Sequence, residues 1–311
     1  YIHAAAAAFG FGAPPLIEGL EFEDDNLSPE IALNYYISDN TSIYVAYKKA
    51  FKSGGIDNSA LPTASINPLS PTFEGFDALI YDSEEADGFE IGLKSNLFDN
   101  NMRINATYYK YEYTDLQVQL FDANIIQFST FNAGAVETEG FEADMLWYTD
   151  IEGLTLRGQF AWTDAVNTGD FFNTSGVNLK GSERSYSPEI AGSLGLSYDS
   201  SLFNGWRYTF STDARYSDDY AWGVYKNSPR QDSYWINDAA ISIYSEDGKH
   251  SINLIGRNLG DEIVIVTGGS TPGRIGTRTV PGIEAALLQD QNVTTQQGRT
   301  VTLQYKYKIL H

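Results

Sequence analysis

The residues of this 311-residue chain that could do chemistry are mostly acids and aromatics. It has 41 Asp and Glu, 21 Tyr, 17 Phe and 5 Trp, but three His and no Cys. Without Cys there are no disulfides, thiolate metal sites or Cys nucleophiles. His3 and His311 stand at the chain ends, which argues against a His-based triad or metal site. We therefore predict no catalytic residue, no metal site and no cofactor.

Clusters of acidic residues could supply the hard oxygen ligands that Ca²⁺ prefers. They lie at residues 21–25, 82–87 and 218–219. None has the spacing of an EF-hand, so solvated loop charge is the favoured interpretation. The net charge of −21, with only 20 Lys and Arg and no basic stripe, argues against a nucleic-acid partner.

Alternation of apolar and polar residues is the dominant pattern. In segment 154–163, Leu154, Leu156, Phe160 and Trp162 share one face, which is a period of two. No segment of similar length has a helical period, and no run of about 18 apolar residues exists. The pattern predicts eleven strands, at about 29–37, 42–51, 86–95, 102–119, 127–148, 154–164, 188–199, 206–217, 234–244, 250–259 and 299–309.

Short and long connections alternate between these strands. The short turns are at 38–41, 96–101, 149–153, 200–205 and 245–249, and the other connections are at 52–85, 120–126, 165–187, 218–233 and 260–298. Short turns on one side and long loops on the other are typical of an outer-membrane β-barrel. A soluble β-sandwich is the alternative. The long strands, the alternating loop lengths and the Tyr and Trp near strand ends favour the barrel.

The odd strand number carries its own prediction. Bacterial single-chain barrels have an even number of strands, and their termini usually face the periplasm. Eleven strands that begin on the outside and end on the inside are the back part of a barrel. We therefore expect an upstream region that this sequence does not include.

A series of short segments resembles the TonB-dependent outer-membrane receptors. In order they are LSPEIALNYY (27–36), SIYVAY (42–47), AFKSGG (50–55), FEIGLKS (89–95), DLQV (115–118), NAG (132–134), EGFE (139–142) and GRNL (256–259). Any one of them is a weak signal, but the series covers most of the chain in the order and spacing of the family.

The resemblance implies an all-β fold, a transmembrane antiparallel β-barrel with about 11 of the family's 22 strands. Residues 1–311 would form the C-terminal part of one barrel domain, with 1–28 as loop and lead-in and strands over about 29–309. The family's N-terminal plug and its TonB-binding segment are absent from this sequence. The family commonly ends in an aromatic residue, whereas this chain ends in His311.

The resemblance also implies a function without bond making or breaking, so the protein is not expected to be an enzyme. Such a receptor binds a scarce nutrient in its outer loops and imports it with TonB-coupled energy across the outer membrane of a Gram-negative bacterium. The nutrient would be a siderophore, haem, cobalamin or an oligosaccharide. TonB, acting through the missing N-terminal region, lipopolysaccharide and outer-membrane lipid are the other expected partners.

Ligand binding is then expected on aromatic and Arg side chains of the long loops, which can stack on and pair with an anionic chelate or stack on a sugar. The candidates are Phe73, Tyr81, Phe171, Phe172, Arg184, Tyr186, Tyr220, Trp222, Tyr225, Arg230, Arg274 and Arg278. Loop packing or an interfacial girdle is the alternative role for each aromatic, and lipopolysaccharide phosphate for each Arg. Arg157, Arg207, Asp213 and Arg215 are expected to form salt bridges of the barrel wall and plug.

Other functions share parts of this pattern. A passive porin has the same alternation and loop asymmetry. An outer-membrane enzyme needs a His beside a Ser or Asp, and His250 falls at a predicted short turn, on the periplasmic side. A surface adhesin is the remaining alternative.

Overall fold

The computed structural model describes residues 21–57, 79–122, 127–173, 176–223, 228–270 and 291–309. Within these residues the secondary structure is almost entirely β. The strands are β1 (Glu30–Ser38), β2 (Thr41–Lys52), β3 (Gly55–Ile56), β4 (Ile80–Tyr81), β5 (Glu84–Leu97), β6 (Met102–Asp122), β7 (Gln127–Tyr148), β8 (Leu154–Asn167), β9 (Ile190–Ser201), β10 (Arg207–Ser217), β11 (Tyr220–Ala221), β12 (Arg230–Gln231), β13 (Tyr234–Tyr244), β14 (His250–Arg257), β15 (Ile265–Ser270), β16 (Gln291–Thr295) and β17 (Thr300–Tyr307). Among the described residues, no helix is both long and apolar enough to cross a membrane.

Eleven of these strands form one antiparallel sheet, called here the main sheet. Its order is β1-β2-β5-β6-β7-β8-β9-β10-β13-β14-β17. These are the eleven strands predicted from alternation, with ends that differ by at most three residues. The short turns join the strands at one end of the main sheet, which is called here the turn edge. The long connections join them at the opposite end, which is called the loop edge.

One face of the main sheet is apolar. The strand register aligns its side chains in rows, one of which is Val45, Ile91, Tyr108, Phe141, Trp162 and Ile190. A second row, nearer the turn edge, is Leu154, Tyr198, Phe210, Ile241, Leu254 and Leu303. Many of these side chains, such as Val45 and Leu254, are exposed. A continuous exposed apolar band is what a lipid-facing surface requires.

The other face is polar and concave. Its rows include Asn105, Asp144, Gln159, Ser193 and Arg215, and these side chains line a cavity of about 630 Å³. Arg157 contacts Asp213 at 2.8 Å, and Arg215 contacts Asp238 at 2.9 Å. The predicted salt bridges of the barrel wall are therefore confirmed for Arg157, Asp213 and Arg215. Arg207 is exposed and has no ion pair within the described part of the chain.

Strands β6 and β7 are much longer than a bilayer needs. They have 21 and 22 residues, about 70 Å at 3.3 Å per residue, whereas nine to eleven tilted residues suffice to cross a membrane. Toward the loop edge their apolar face becomes charged, because Lys110 pairs with Glu137 and Glu139 at 2.9 and 3.5 Å. This hairpin therefore rises beyond the apolar band and gives the loops a rigid support.

Three small hairpins lie within the long connections, and the sequence pattern missed them. They are β3 with β4, β11 with β12, and β15 with β16. Each belongs to a connection at the loop edge. That edge thus carries folded segments rather than simple crossings between strands.

Candidate functional site at the loop edge

The first element of the site is a pair of amide side chains on the tall hairpin, Gln117 of β6 and Asn132 of β7, called here the amide clamp. Asn132 Nδ2 donates to the carbonyls of Asp82 and Asp115 at 2.9 and 2.7 Å, and its Oδ1 accepts the Asp82 N–H at 2.7 Å. Gln117 Nε2 donates to the Ser53 and Asp82 carbonyls at 2.9 and 3.1 Å. The clamp therefore ties both ends of connection 52–85 to β6 and β7.

The two residues after Asn132 explain the rest of its short motif. Ala133 is buried in a small apolar cluster with Phe171 and Leu179 at the base of the next loop. Gly134 has φ +35°, and a Cβ there would lie 2.7 Å from the Asp170 carbonyl oxygen. Only glycine accommodates both the backbone conformation and this close approach. The segment Asn132 to Gly134 thus anchors two different loops.

The second element, called here the aromatic cluster, consists of Tyr186, Tyr220 and Trp222. The Tyr186 and Tyr220 rings lie 6.0 Å apart, and the Tyr186 N–H donates to the Ala221 carbonyl at 2.7 Å. Tyr220 Oη donates to the Ile265 carbonyl at 2.8 Å. The cluster therefore joins connections 165–187, 218–233 and 260–298.

Trp222 is the most deeply covered member of this cluster. Its side chain is 4% exposed, and its indole ring lies directly against Gly268, where a Cβ would clash with the ring. The Gly268 N–H donates to Tyr186 Oη at 3.1 Å. Trp222 Nε1 has no hydrogen-bond partner within the described residues. Packing, rather than its single polar atom, therefore holds this ring.

Burial also raises the pKa of the Tyr220 phenol. Desolvation, with smaller contributions from Tyr234 and Tyr186, raises the pKa of Tyr220 to about 12. The phenol therefore keeps its proton, and its hydrogen bond to the Ile265 carbonyl, further into the alkaline range than an exposed Tyr does.

Arg230 of β12 is bound by carboxylates from two loops. Its guanidinium contacts Glu183 of connection 165–187, and its Nε contacts Asp219 at 2.6 Å. These two acids account for most of its donors. Asp219 is one of the acidic residues considered as a metal ligand, and here its carboxylate pairs with Arg230.

Arg184 lies in connection 165–187, two residues before Tyr186 of the aromatic cluster. Its N–H donates to the Ala165 carbonyl at 2.9 Å, and its Nη1 donates to Asn167 Oδ1 at 3.1 Å. The next residue, Ser185, donates to the Gly223 carbonyl beside Trp222. Burial lowers the pKa of Arg184, and the charge of Glu84 partly opposes that effect.

The remaining candidates from the sequence fall in different environments. Phe171 is 4% exposed and packs in the apolar cluster with Ala133, which leaves little of its ring for a ligand. Phe172 is 56% exposed and Tyr186 is 43% exposed. Tyr81 lies in β4 and is partly exposed. The other predicted contacts lie outside the described residues: Phe73, Tyr225, Arg274 and Arg278.

Sequence reasoning missed the residues that organise the site. Gln117, Asn132 and Asn167 were not among the candidates, because amides in strands give no chemical signal by themselves. The motif Asn132 to Gly134 was noted only as part of the resemblance. Within the described residues, no group of three or more acids or His is placed to hold a metal.

A sheet with one apolar face, one polar face and folded loops at one end of its strands is the architecture of an outer-membrane β-barrel. The chain belongs to the TonB-dependent receptors, since the family described as "TonB dependent receptor-like, beta-barrel" matches residues 8–259. A comparison with curated protein sequences finds no match.

Solved receptor structures share this fold. The ferric yersiniabactin uptake receptor FyuA from Yersinia pestis aligns with a TM-score of 0.68 at 14% identity, over 90% of this chain and 37% of its own. The siderophore receptor PiuA from Acinetobacter baumannii aligns at 0.61 and 20%, over 89% and 35%. BauA from the same organism, the ferric preacinetobactin receptor, aligns at 0.60 and 16%, over 90% and 36%. The chain thus spans about a third of the length of these receptors.

Proposed function

We propose that this chain is the C-terminal part of the barrel of an active-transport receptor in the outer membrane of a Gram-negative bacterium. The complete protein would bind a scarce nutrient at the loop edge and import it with energy from TonB. The nutrient proposed first is siderophore-bound iron. The other half of the barrel, the plug and the TonB-binding segment would belong to the rest of the protein.

The observation that carries this proposal is the folded loop edge above a polar concave face. Gln117 and Asn132 anchor one side, and Trp222 with Tyr220 anchors the other. Loops held this firmly can present ligand-binding side chains in fixed positions. A passive pore has less need for such anchoring, because it does not bind its solute tightly.

Family and relatives support the ligand class. Three structurally similar proteins are a ferric yersiniabactin uptake receptor, a siderophore receptor and a ferric preacinetobactin receptor. Among the candidates for this chain, we propose the exposed side chains of Tyr81, Phe172 and Tyr186 as contacts. We assign Phe171 and Trp222 the role of supporting the loops, because they are buried.

An enzymatic alternative has no support among the described residues of the loop edge. His250 lies at the turn edge, where its Nδ1 and the Tyr305 Oη are 2.7 Å apart. It is therefore separated from the loop residues by the length of the main sheet.

Uptake by whole cells tests the proposal. A strain without the full-length gene should lose accumulation of one or more radiolabelled ferric siderophores from a panel, and the gene should restore it. Deletion of TonB should abolish the same uptake. Uptake that persists without TonB, and that rises linearly with solute concentration, would indicate a passive porin instead.

A further inference from the structure

The arginines of the described residues differ in how their charge is balanced. Arg157, Arg215, Arg230 and Arg299 each contact a carboxylate. Three others are exposed to solvent: Arg103, Arg207 and Arg257. Arg184 alone in this set is partly buried and contacts no carboxylate. Water does not fully solvate its charge, and no carboxylate within the described residues forms an ion pair with it.

The surroundings of Arg184 hold its guanidinium in place while leaving most of it free. Asn167 is 4% exposed, and its Nδ2 donates to the Ser182 carbonyl and hydroxyl at 3.2 and 3.0 Å. These two bonds turn Asn167 Oδ1 toward Arg184. One guanidinium nitrogen therefore has a neutral partner, and the other donors, of five N–H in all, have no protein acceptor within the described residues.

Glu84 is the acid that affects Arg184 through charge, but it has other partners. Its Oε2 accepts the Gln117 N–H at 2.9 Å and lies 4.0 Å from Lys52 Nζ. It forms no salt bridge with Arg184. A partly buried cation with free donors costs stability unless an anion binds to it. Such a feature is typical of a binding site rather than of a structural contact.

We propose that Arg184 is the anion-recognition residue of the receptor, and that the imported ligand places a carboxylate or a similar anionic oxygen group on its guanidinium. This inference rests on the proposed function and narrows the ligand to an anionic chelate. The position fits that role, because Arg184 is near enough to Glu84 for their charges to interact, and the adjacent Ser185 donates to the Gly223 carbonyl beside Trp222. A bidentate pair with a carboxylate would satisfy two of the free donors.

Citrate, a small tricarboxylate, is the probe for this site. Titration calorimetry would compare the purified full-length receptor with two variants, Arg184→Gln and Arg207→Gln. Both remove one positive charge, but Arg207 is exposed near the turn edge. Arg184→Gln should weaken citrate binding by about tenfold or more, whereas Arg207→Gln should change it by less than about twofold. Arg184→Lys should fall between wild type and Arg184→Gln, because Lys keeps the charge but lacks the planar fork.

Equal citrate binding by wild type and Arg184→Gln would overturn the inference, and so would no binding by wild type. Denaturant unfolding supplies a second criterion. If Arg184 is a ligand-binding residue, Arg184→Gln should be as stable as wild type or more stable, because the substitution removes a desolvated charge. Loss of stability together with loss of binding would show a structural role instead.

These outcomes are separable from those of the uptake experiment. Citrate binding is measured on purified protein and needs neither TonB nor transport. If the deletion strain shows no uptake defect, the proposed function fails while the anion site stands or falls by calorimetry. If uptake depends on TonB but calorimetry shows no role for Arg184, only the anion site is wrong.

Discussion

The amide clamp and the aromatic cluster both hold loops in place, but they do so through different interactions. The clamp fixes connection 52–85 through five hydrogen bonds that involve its two side chains. The cluster joins three connections by burying rings, above all Trp222, whose one polar atom is unpartnered within the described residues. Hydrogen bonds depend on which atoms are present, whereas buried rings depend on volume and shape.

The difference teaches which substitutions each region should tolerate. In the amide clamp, a substitution that preserves size but removes a hydrogen-bond donor should release the loop. In the aromatic cluster, the loss of a donor should matter little. An exchange that removes volume should open the cluster. The predictions below test this contrast.

Trp222→Ala should have the largest effect. Removing a buried Trp ring costs about 3–5 kcal/mol, because a cavity replaces its contacts. The expected result is faster hydrogen exchange at the Gly268 amide, which donates to Tyr186 Oη, and at the neighbouring Ile265 amide, which donates to Gln231 Oε1. Trp235→Ala is the matched control, since Trp235 is exposed on the apolar face. Unchanged exchange in Trp222→Ala would show that the cluster is not held by packing.

Gly134→Ala should be next in size. The positive φ costs about 1 kcal/mol for Ala, and the contact with the Asp170 carbonyl adds about 1–2 kcal/mol of strain. Exchange at the Thr168 and Gly169 amides, which donate to Ala135, measures the effect. Gly176→Ala separates the two causes, because Gly176 also has a positive φ but no atom within 4 Å of its Cβ position. Equal effects of both substitutions would assign the cost to φ alone.

Asn132→Asp in the clamp and Trp222→Phe in the cluster together test the contrast most directly. Asn132→Asp retains an acceptor for the Asp82 amide but removes both donors and faces two carbonyls with a carboxylate, which should cost about 1–3 kcal/mol. Trp222→Phe loses no hydrogen bond within the described residues and keeps an aromatic ring in the cluster, so the partial loss of volume should cost less than Asn132→Asp. Exchange at the Asp82 amide, compared with that at Gly268, reports the two regions separately. A larger cost for Trp222→Phe would contradict the distinction drawn here.

The smallest effect is expected for the Tyr220 hydroxyl. Its folded pKa is raised to about 12, above the ordinary value of 10, so its contribution is complete below pH 10 and is lost as pH rises through about 12. Tyr220→Phe should cost about 1 kcal/mol at pH 7 and abolish this alkaline dependence. Denaturant unfolding at pH 7 measures the stability cost, and the difference between the alkaline tyrosinate absorbance titrations of wild type and Tyr220→Phe measures the pKa of Tyr220. A phenol that titrates near pH 10 would contradict the burial of this side chain.

The sequence predicts the main sheet well because its information is local. Alternation places Leu154, Leu156 and Phe160 on one face without reference to any other strand, and all eleven strands follow from such patterns. Two of the three small hairpins were missed for the opposite reason. β3, β4, β11 and β12 have two residues each, too few to show a period.

The site is less predictable because the role of each residue depends on contacts with residues that are distant in sequence. Arg184 and Arg230 are both loop arginines in sequence, yet Arg230 contacts Glu183 and Asp219 while Arg184 contacts neutral Asn167. Phe171 and Phe172 are adjacent, but one is buried and the other exposed. No local pattern distinguishes these pairs, since the distinction arises when separate connections pack together.

The strand order of the main sheet has a consequence for how the protein assembles. Within the eleven, every strand pairs only with the members that precede and follow it along the chain. Each new strand can therefore pair with the strand that precedes it in the chain, and the entropic cost of closing the loop between them is small. The sheet can grow one hairpin at a time, and the long connections can dock on one another after their strands are in place. The aromatic cluster, which joins three such connections, would then be among the last parts of the molecule to form.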